Sequence, residues 1–234
     1  MQLFIIILIV SLVIFLFCLH ILAKEDLSFV RKNVTMEMLF NTAFYTVGVG
    51  LFSARIIYVI TNFSFGFINP LVFFLFPYFP GLSLVGGVVG AMFFIYFYKR
   101  KKFPHGRIFD FFSIAFLSAL PIGFFGRGLL TGMQDKFSGI FMPIIFLITF
   151  IFFIKILLPL NTRGEIRDGS LGFLFVLVFS LVTFIAQIVR VNNFLTFILQ
   201  LDIVMLIMLF IFSLLMLLMN EGFISTSRLG KGNK

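Results

Sequence analysis

The chain has 234 residues, of which 61% are hydrophobic and only 12% are charged, against about 25% charged residues in soluble domains. A water-soluble domain of this size cannot hide so much apolar surface, and a disordered chain would be far more polar. The composition therefore excludes both classes and indicates an integral membrane protein. In such a protein, the basic residues behind the net charge of +9 are expected mainly in the cytoplasmic loops.

Seven continuously apolar segments follow one another, each with about the 17–25 residues that a helix needs to cross a bilayer. They cover residues 2–22, 36–62, 81–98, 108–133, 138–160, 170–189 and 194–219. Because they lack the in–out alternation of barrel strands, we predict an all-α, polytopic membrane protein with seven transmembrane helices. Residues 1–222 then form a single transmembrane domain, and residues 223–234 form a basic cytoplasmic tail.

The basic residues predict the orientation of these helices. Most of the 18 lysines and arginines follow predicted helices 1, 3, 5 and 7, whereas the opposite side holds Lys136 and Arg190. The positive-inside rule then places the N-terminus outside and the C-terminus in the cytoplasm. Since the basic residues are spread over four segments rather than one stripe, we expect no nucleic-acid partner.

The segment between predicted helices 2 and 3, residues 63–80, has no charge and is rich in Phe and Pro. Pro70, Pro77 and Pro80 argue against a continuous spanning helix. We therefore predict an interfacial arm that lies on the outer membrane surface. Two roles are open for it: covering a lateral lipid entrance, or only anchoring the bundle.

Three ionisable residues inside the apolar segments are expected to share one layer near the outer leaflet. At about 1.5 Å per residue, Arg55 and Arg127 reach a similar height in predicted helices 2 and 4, and Asp202 enters that layer from outside. The glycine-rich start of predicted helix 3 lies at the same level and allows close approach. Because arginine binds phosphate bidentately, this layer predicts a phospholipid head-group site.

Two other interpretations of this layer stay open. Asp202 neutralises one of the arginines in a purely structural bundle, or the layer lines an ion or solute pathway. No metal site is expected, because the single cysteine, Cys18, excludes a cysteine-based cluster.

Several short motifs resemble, in the same order, those of bacterial prolipoprotein diacylglyceryl transferases. The segment Ser53-Ala54-Arg55-Ile56-Ile57-Tyr58-Val59 resembles their G-A/G-R-x-x-Y-V motif. The segment Gly81-Leu82-Ser83-Leu84-Val85-Gly86-Gly87-Val88-Val89-Gly90 resembles G-M-S-F-H-G-G-x-x-G. Further similarities lie at Asn69-Pro70, Asp110, Gly126-Arg127 and Asp168-Gly169-Ser170-Leu171-Gly172-Phe173. The resemblance covers residues 50–200.

This resemblance implies a bacterial inner-membrane protein. Members of the family move a diacylglyceryl group from phosphatidylglycerol to the cysteine of a lipoprotein precursor, at the outer face of the membrane, without a metal or soluble cofactor. The implied partners are a phosphatidylglycerol-like phospholipid and a lipoprotein precursor, or other membrane subunits. Together, the charged layer and the matched motifs give these candidate head-group contacts: Arg55, Tyr58, Ser83, Gly86, Gly87, Arg127, Arg190 and Asp202.

The chain departs from the family pattern at the positions that carry catalysis. Val85 stands where the family has histidine, and valine cannot exchange a proton. In the late helix, Gln187 replaces a glutamate and Thr183 an arginine, and the asparagines and glutamate that follow the signature arginine are missing after Arg127. The two histidines, His20 and His105, are predicted to lie on the cytoplasmic side.

We therefore expect a non-catalytic, lipid-binding member of the family, or a subunit of a membrane assembly, rather than an enzyme. One alternative is an active transferase in which Arg190, Asp202 or Tyr58 has taken over proton transfer or positioning. Another is a component of a transporter or channel, although the chain shows no inverted repeat.

Overall fold

The computed structural model describes residues 2–24, 26–63, 81–98, 104–130, 137–190 and 201–222, and within them it is helical without strands. The helices are α1 Gln2–Lys24, α2 Leu27–Arg31, α3 Met36–Thr61, α4 Leu84–Phe97, α5 His105–Leu130, α6 residues 137–162, α7 Ser170–Arg190 and α8 Leu201–Glu221. The predicted all-α class is confirmed for this part of the chain.

Within the described ranges, six helices are long and apolar enough to cross a membrane: α1, α3, α5, α6, α7 and α8. Helix α4 is equally apolar but has 14 residues, or about 21 Å at the α-helical rise, against about 30 Å of hydrocarbon. The protein is therefore a multi-pass membrane protein, and the predicted seventh crossing depends on α4. The predicted arm beyond residue 63 and the basic tail lie outside the described residues.

Helix α5 is the centre of the bundle, with 67% of its most apolar stretch buried. One core cluster joins it to α6 and α7 through Leu117, Phe146 and Phe179, where Phe146 also stacks on Phe124 with ring centroids 5.2 Å apart. The peripheral helices instead expose large apolar side chains along their outer faces. Such surfaces are typical of helices that face lipid, because hydrocarbon chains cover them at no hydrophobic cost.

Helix α6 begins with a π-helical turn and is interrupted once by another. Phe137–Phe141 precedes the α-helical stretch Met142–Phe152, and Phe153–Leu157 separates that stretch from Leu158–Thr162. Single π-helical turns of this kind rotate the face of a helix relative to an uninterrupted one. Period-based interpretation of the sequence therefore predicts the span but not these turns.

Candidate functional site

The two ends of the bundle carry different polar groups. The Arg55 end is formed by the end of α3 and the starts of α4 and α8, and the Arg107 end by the end of α1, the starts of α5 and α7 and the ends of α6 and α8. The candidate head-group residues predicted from the sequence, such as Arg55, Ser83 and Asp202, lie at the Arg55 end.

Helices α3 and α4 approach closely through glycine at this end. A Cβ atom on Gly87 would lie 3.5 Å from the Ala54 Cβ, and one on Gly86 would lie only 2.8 Å from the Ile57 Cβ. Two hydrogen bonds fasten the pair: Ser53 Oγ donates to the Gly86 carbonyl (3.0 Å), and the Ser83 amide donates to the Ala54 carbonyl (3.1 Å). The predicted role of the glycine-rich segment in close helix packing is therefore observed.

Arg55 is buried where α3 meets the segment before α4, with 3% of its surface exposed. Its Nη1 donates to the Gly81 carbonyl (2.8 Å), and its guanidinium carbon lies 5.8 Å from the centre of the Tyr58 ring. That ring occupies the space beside Gly81, where a Cβ atom would come within 2.1 Å of it. Among its described contacts, Arg55 is therefore held by a carbonyl and an aromatic face, groups that stabilise a cation inside a membrane protein.

Ser83 links α4 to α8 on the same side of the bundle. Its Oγ donates to Asp202 Oδ1 (3.1 Å) and accepts from the Gly86 amide (3.2 Å), so that it also caps the N-terminus of α4. Asp202 lies in the first turn of α8. This contact places an acidic side chain at the layer for which the sequence predicted it.

Described contacts therefore connect five of the eight candidate residues in two groups, and a sixth, Gly87, packs against a residue outside the candidate set. Arg55 contacts Tyr58, Ser83 contacts Asp202 and Gly86, and Gly87 packs against Ala54. Arg127 lies exposed near the end of α5, and Arg190 is the last residue of α7, its side chain lying outside the described part.

A cavity of about 330 Å³ extends from this site into the bundle between α1, α3, α4, α5 and α7. Ala54, Leu82 and Ser83 line the end next to Arg55. The other lining residues are mostly aliphatic or aromatic, with hydroxyl groups on Ser11, Thr46 and Ser113. The volume falls within the range of about 300–1,000 Å³ that is usual for ligand pockets. The cavity was not predictable from the sequence, because the residues that line it look like ordinary apolar core residues.

The positions that the family resemblance connects with catalysis carry no acid or base. Val85 is buried in the hydrophobic core, and the Thr183 hydroxyl donates within α7 to the Phe179 carbonyl (2.6 Å). The Oε1 atom of Gln187 is buried and accepts no hydrogen bond in the described part of the chain. His20 stacks on Phe40 of α3, with ring centroids 6.1 Å apart, on the side of the bundle away from Arg55.

The Arg107 end contains a second charged group that the sequence analysis missed. Arg107 is one of the basic residues that follow predicted helix 3 and were expected in a cytoplasmic loop, but it is buried at the start of α5 with 5% of its surface exposed. Its Nε and Nη2 each lie 2.8 Å from Asp26 Oδ2, and its Nη1 donates to Asn161 Oδ1 and to Asp168 Oδ1 (3.3 Å). One guanidinium therefore joins the segment after α1, the end of α6 and the segment before α7.

Asp110 completes this junction one turn further along α5. It is fully buried, and its two oxygens accept from the amides of Gly169 and Gly172, each at 2.7 Å, at the start of α7. Gly172 allows this approach, because a Cβ atom there would come within 2.2 Å of the Phe109 ring. The sequence analysis used Asp110 only as a motif match, yet here it acts as a remote N-terminal cap.

The end of α8 closes the Arg107 end. Arg167 Nη1 donates to the Asn220 carbonyl (2.6 Å), Asn220 Nδ2 donates to Ser170 Oγ (2.7 Å), and Ser170 Oγ donates to Glu221 Oε1. These residues satisfy one another across two helices and a loop. We call the group of Asp26, Arg107, Asp110, Asn161, Asp168, Ser170 and Glu221 the clamp.

The fold and the Arg55 end together define a multi-pass helical membrane protein with a buried cation beside an apolar, ligand-sized cavity. The family model of prolipoprotein diacylglyceryl transferase matches residues 1–131, which is more than half of the chain. The chain therefore belongs to this family, as the motif resemblance indicated. Comparison with curated proteins and with solved structures gave no significant match.

The matched region includes Arg55, the glycine-rich start of α4, Asp110 and Arg127. It ends before Gln187, Arg190 and Asp202, so the similarity of the late helices rests on the motif comparison alone.

Proposed function

We propose that this protein is a non-catalytic, phospholipid-binding member of the family in the bacterial inner membrane. It crosses the membrane seven times, with its N-terminus outside and its C-terminus in the cytoplasm, and residues 63–80 form an interfacial arm. The observation that carries the proposal is a buried arginine close to an apolar cavity. Arg55 does not line the cavity itself, but its chain neighbour Ala54 does, and Arg55 donates to the Gly81 carbonyl just before the lining residues Leu82 and Ser83.

The charges at the Arg55 end suit a phospholipid with a polar alcohol in its head group. A guanidinium binds phosphate through paired N–H donors, and an arginine within a membrane protein marks a functional position by default. The Asp202 carboxylate accepts hydrogen bonds from hydroxyl groups, which phosphatidylglycerol carries on its head-group glycerol. In this proposal Tyr58, Ser83, Gly86 and Gly87 shape the head-group site, and Arg127 and Arg190 contribute further positive charge.

The cavity suits the other half of such a molecule. Its mostly apolar walls suit a hydrocarbon chain, and each CH₂ group buried there contributes about 0.8 kcal/mol. The Ser11 hydroxyl, which is buried without a hydrogen-bond partner in the described part of the chain, is the polar exception in this lining. A free inorganic anion would use the cation but not the cavity. A lipoprotein precursor segment or another membrane subunit is then a partner that meets the lipid-loaded protein.

The absence of an acid or base at the matched positions supports a non-catalytic role. Thiol transfer needs a group that removes the thiol proton and a group that stabilises the leaving phosphate. Arg55 provides for the second need, whereas Val85 and the Thr183 hydroxyl provide nothing for the first. Lipid binding without turnover follows from this combination.

Native mass spectrometry of the detergent-purified protein with added phosphatidylglycerol tests lipid binding. We expect one tightly retained lipid in the wild-type protein and at least a tenfold loss of affinity in Arg55→Gln, because that change removes the cation. Arg163→Gln, at an exposed position near the Arg107 end, is the matched control and should bind as the wild type does. Equal retention by both variants would rule out a head-group site at Arg55.

A transferase assay with a lipobox peptide and phosphatidylglycerol separates the proposal from its enzymatic alternative. We expect no diacylglyceryl peptide, and no rescue of a strain depleted of its transferase. Product formation that disappears in Arg55→Gln would show an active enzyme and would end the non-catalytic assignment. Lipid binding would still stand in that case.

A further inference from the structure

The far end of the cavity is closed by a defined set of apolar side chains. Toward the Arg107 end the cavity is lined by Phe15 of α1, Ile95 of α4 and Phe112 of α5, which are buried members of the second core cluster of the bundle. Phe109, which is only partly buried, also lines the cavity about one turn of α5 nearer that end. We call Phe15, Ile95 and Phe112 the floor. Phe15 and Phe112 meet edge to face, with ring centroids 5.9 Å apart, and all three side chains are buried.

Close packing continues beyond the floor toward the Arg107 end. Leu19, Leu39 and Phe111 of the same cluster are each at most 1% exposed. Phe111 is in turn held edge to face by Phe29, at 5.4 Å between ring centroids. A ligand in the cavity therefore meets a rigid stop at the floor, since a close-packed core does not yield to an extra methylene group without cost.

The depth of the cavity matches one leaflet of a bilayer. Ser83 lies at its Arg55 end and Ile95 at its floor, and these residues are separated along α4 by about 18 Å at the helical rise. One leaflet of hydrocarbon is about 15 Å deep, which is half of the roughly 30 Å core. An acyl chain whose head group lies at Arg55 therefore reaches the floor with its terminal methyl group.

We propose that the cavity selects the length of one acyl chain of a bound phospholipid, and that Phe15, Ile95 and Phe112 set that length. This inference rests on the proposed function, because it takes a head group at Arg55 as the fixed end of the ligand. Chains that stop short of the floor leave empty volume, and chains that are too long push their head group away from the cation. The floor residues are thus specificity-determining residues that never touch the head group.

Native mass spectrometry tests this proposal. The purified protein is offered an equimolar mixture of phosphatidylglycerols with lauroyl, myristoyl, palmitoyl and stearoyl chains. We expect the wild-type protein to retain one length in preference to the others. Phe112→Leu lowers the floor and should favour the next longer chain by up to about tenfold, because two more CH₂ groups become buried. Ile95→Val should shift the distribution the same way by a smaller factor.

Phe146→Leu is the matched control, because Phe146 is an equally buried phenylalanine that does not line the cavity. It should lose stability in the same way as Phe112→Leu and keep the wild-type length distribution. Ile95→Val removes a single methyl group, so the test does not depend on the folding of the phenylalanine variant.

Two results would overturn the proposal, and only the second would also overturn the proposed function. If the wild-type protein and the floor variants retain the same distribution of lengths, the floor does not set the length, and lipid binding at Arg55 stands. If the wild-type protein retains no phosphatidylglycerol of any length, the proposed function fails and the length selection fails with it.

Discussion

The Arg107 end and the Arg55 end each bury an arginine, but they surround it differently. Arg107 meets two aspartates and an asparagine from three separate segments, and the neighbouring Asp110 and Glu221 find their donors within the protein. Arg55 lies against a carbonyl and an aromatic ring, beside a cavity that the protein does not fill. Arg107 thus joins three segments through carboxylate and amide side chains, whereas the described contacts of Arg55 are to a carbonyl and a ring near the cavity.

This difference predicts different roles for the two ends of the bundle: the Arg107 end holds the helices together, and the Arg55 end binds a ligand. A buried charge that the protein fully satisfies holds helices together, and its loss leaves unpaired partners in a region of low dielectric. In the proposed function, the buried cation near the apolar cavity instead provides charge for a bound phospholipid. The two ends should therefore respond differently to substitution, which the following predictions exploit in order of decreasing effect.

Arg107→Leu should have the largest effect on stability. It removes the partner of buried Asp26 and of Asn161, and breaking a buried ion pair on one side costs about 3–5 kcal/mol. Thermal unfolding in detergent, followed by circular dichroism, measures the loss. Arg163→Leu, at an exposed position in the same region, should unfold as the wild type does. Similar stability of the two variants would show that the clamp does not hold the bundle.

Asp110→Ala should rank second. It leaves the amides of Gly169 and Gly172 without their acceptor at the start of α7, and charge-assisted hydrogen bonds contribute about 1.5–3 kcal/mol. Asp110→Asn keeps one acceptor oxygen and should recover about half of the loss. Hydrogen exchange of the first turn of α7 gives the local readout. Unchanged protection of Gly169 and Gly172 in the alanine variant would contradict the capping role.

Gly86→Ala and Gly87→Ala should differ although the residues are adjacent. The new Cβ would lie 2.8 Å from the Ile57 Cβ in the first variant but 3.5 Å from the Ala54 Cβ in the second. Overpacking costs about 1–3 kcal/mol, whereas an alanine that fits gains up to about 1 kcal/mol of helix propensity. Thermal unfolding should thus show Gly86→Ala below the wild type and Gly87→Ala at or above it. The reverse order would refute this close approach of α3 and α4.

Ser83→Ala should have the smallest effect on stability, about 1 kcal/mol, because it removes the cap of α4 and the contact with Asp202. Ser83→Ala should also lower lipid retention by more than its small loss of stability explains, since Ser83 lines the cavity next to the proposed head-group site. Ser83→Thr keeps a hydroxyl group and should restore both. A variant that loses stability but retains the lipid fully would separate Ser83 from the head-group site.

The features of the fold and of the candidate site that were predictable from the sequence are those that depend on local residue patterns. Long apolar segments predicted the spans around α1, α3, α5, α6, α7 and α8. Rare charges inside them made Arg55 and Asp202 candidates, and the structure places both at the same end of the bundle, where their role as a head-group site stays a prediction. Motif order indicated the family. Each of these signals depends on residue type and approximate position, without knowledge of which helices touch.

The parts that were not predictable depend on contacts between distant segments. Arg107 follows a run of lysines and arginines and looks like one more loop charge, until Asp26 and Asn161 are brought to it from separate parts of the chain. The cavity is missed for a similar reason, because residues such as Thr46 and Phe116 show no sign in sequence of facing an empty space. Only the packing of five helices creates it.

The clamp also has a consequence for how the protein is made. Its members come from the segment after α1, the start of α5, the end of α6, the start of α7 and the last turn of α8. During synthesis, Asp26 and Arg107 are made long before Glu221. The earlier helices are therefore inserted while the clamp is still incomplete. Insertion of α8 is therefore needed to complete the clamp, and a chain truncated before α8 would leave Ser170 without its Glu221 acceptor.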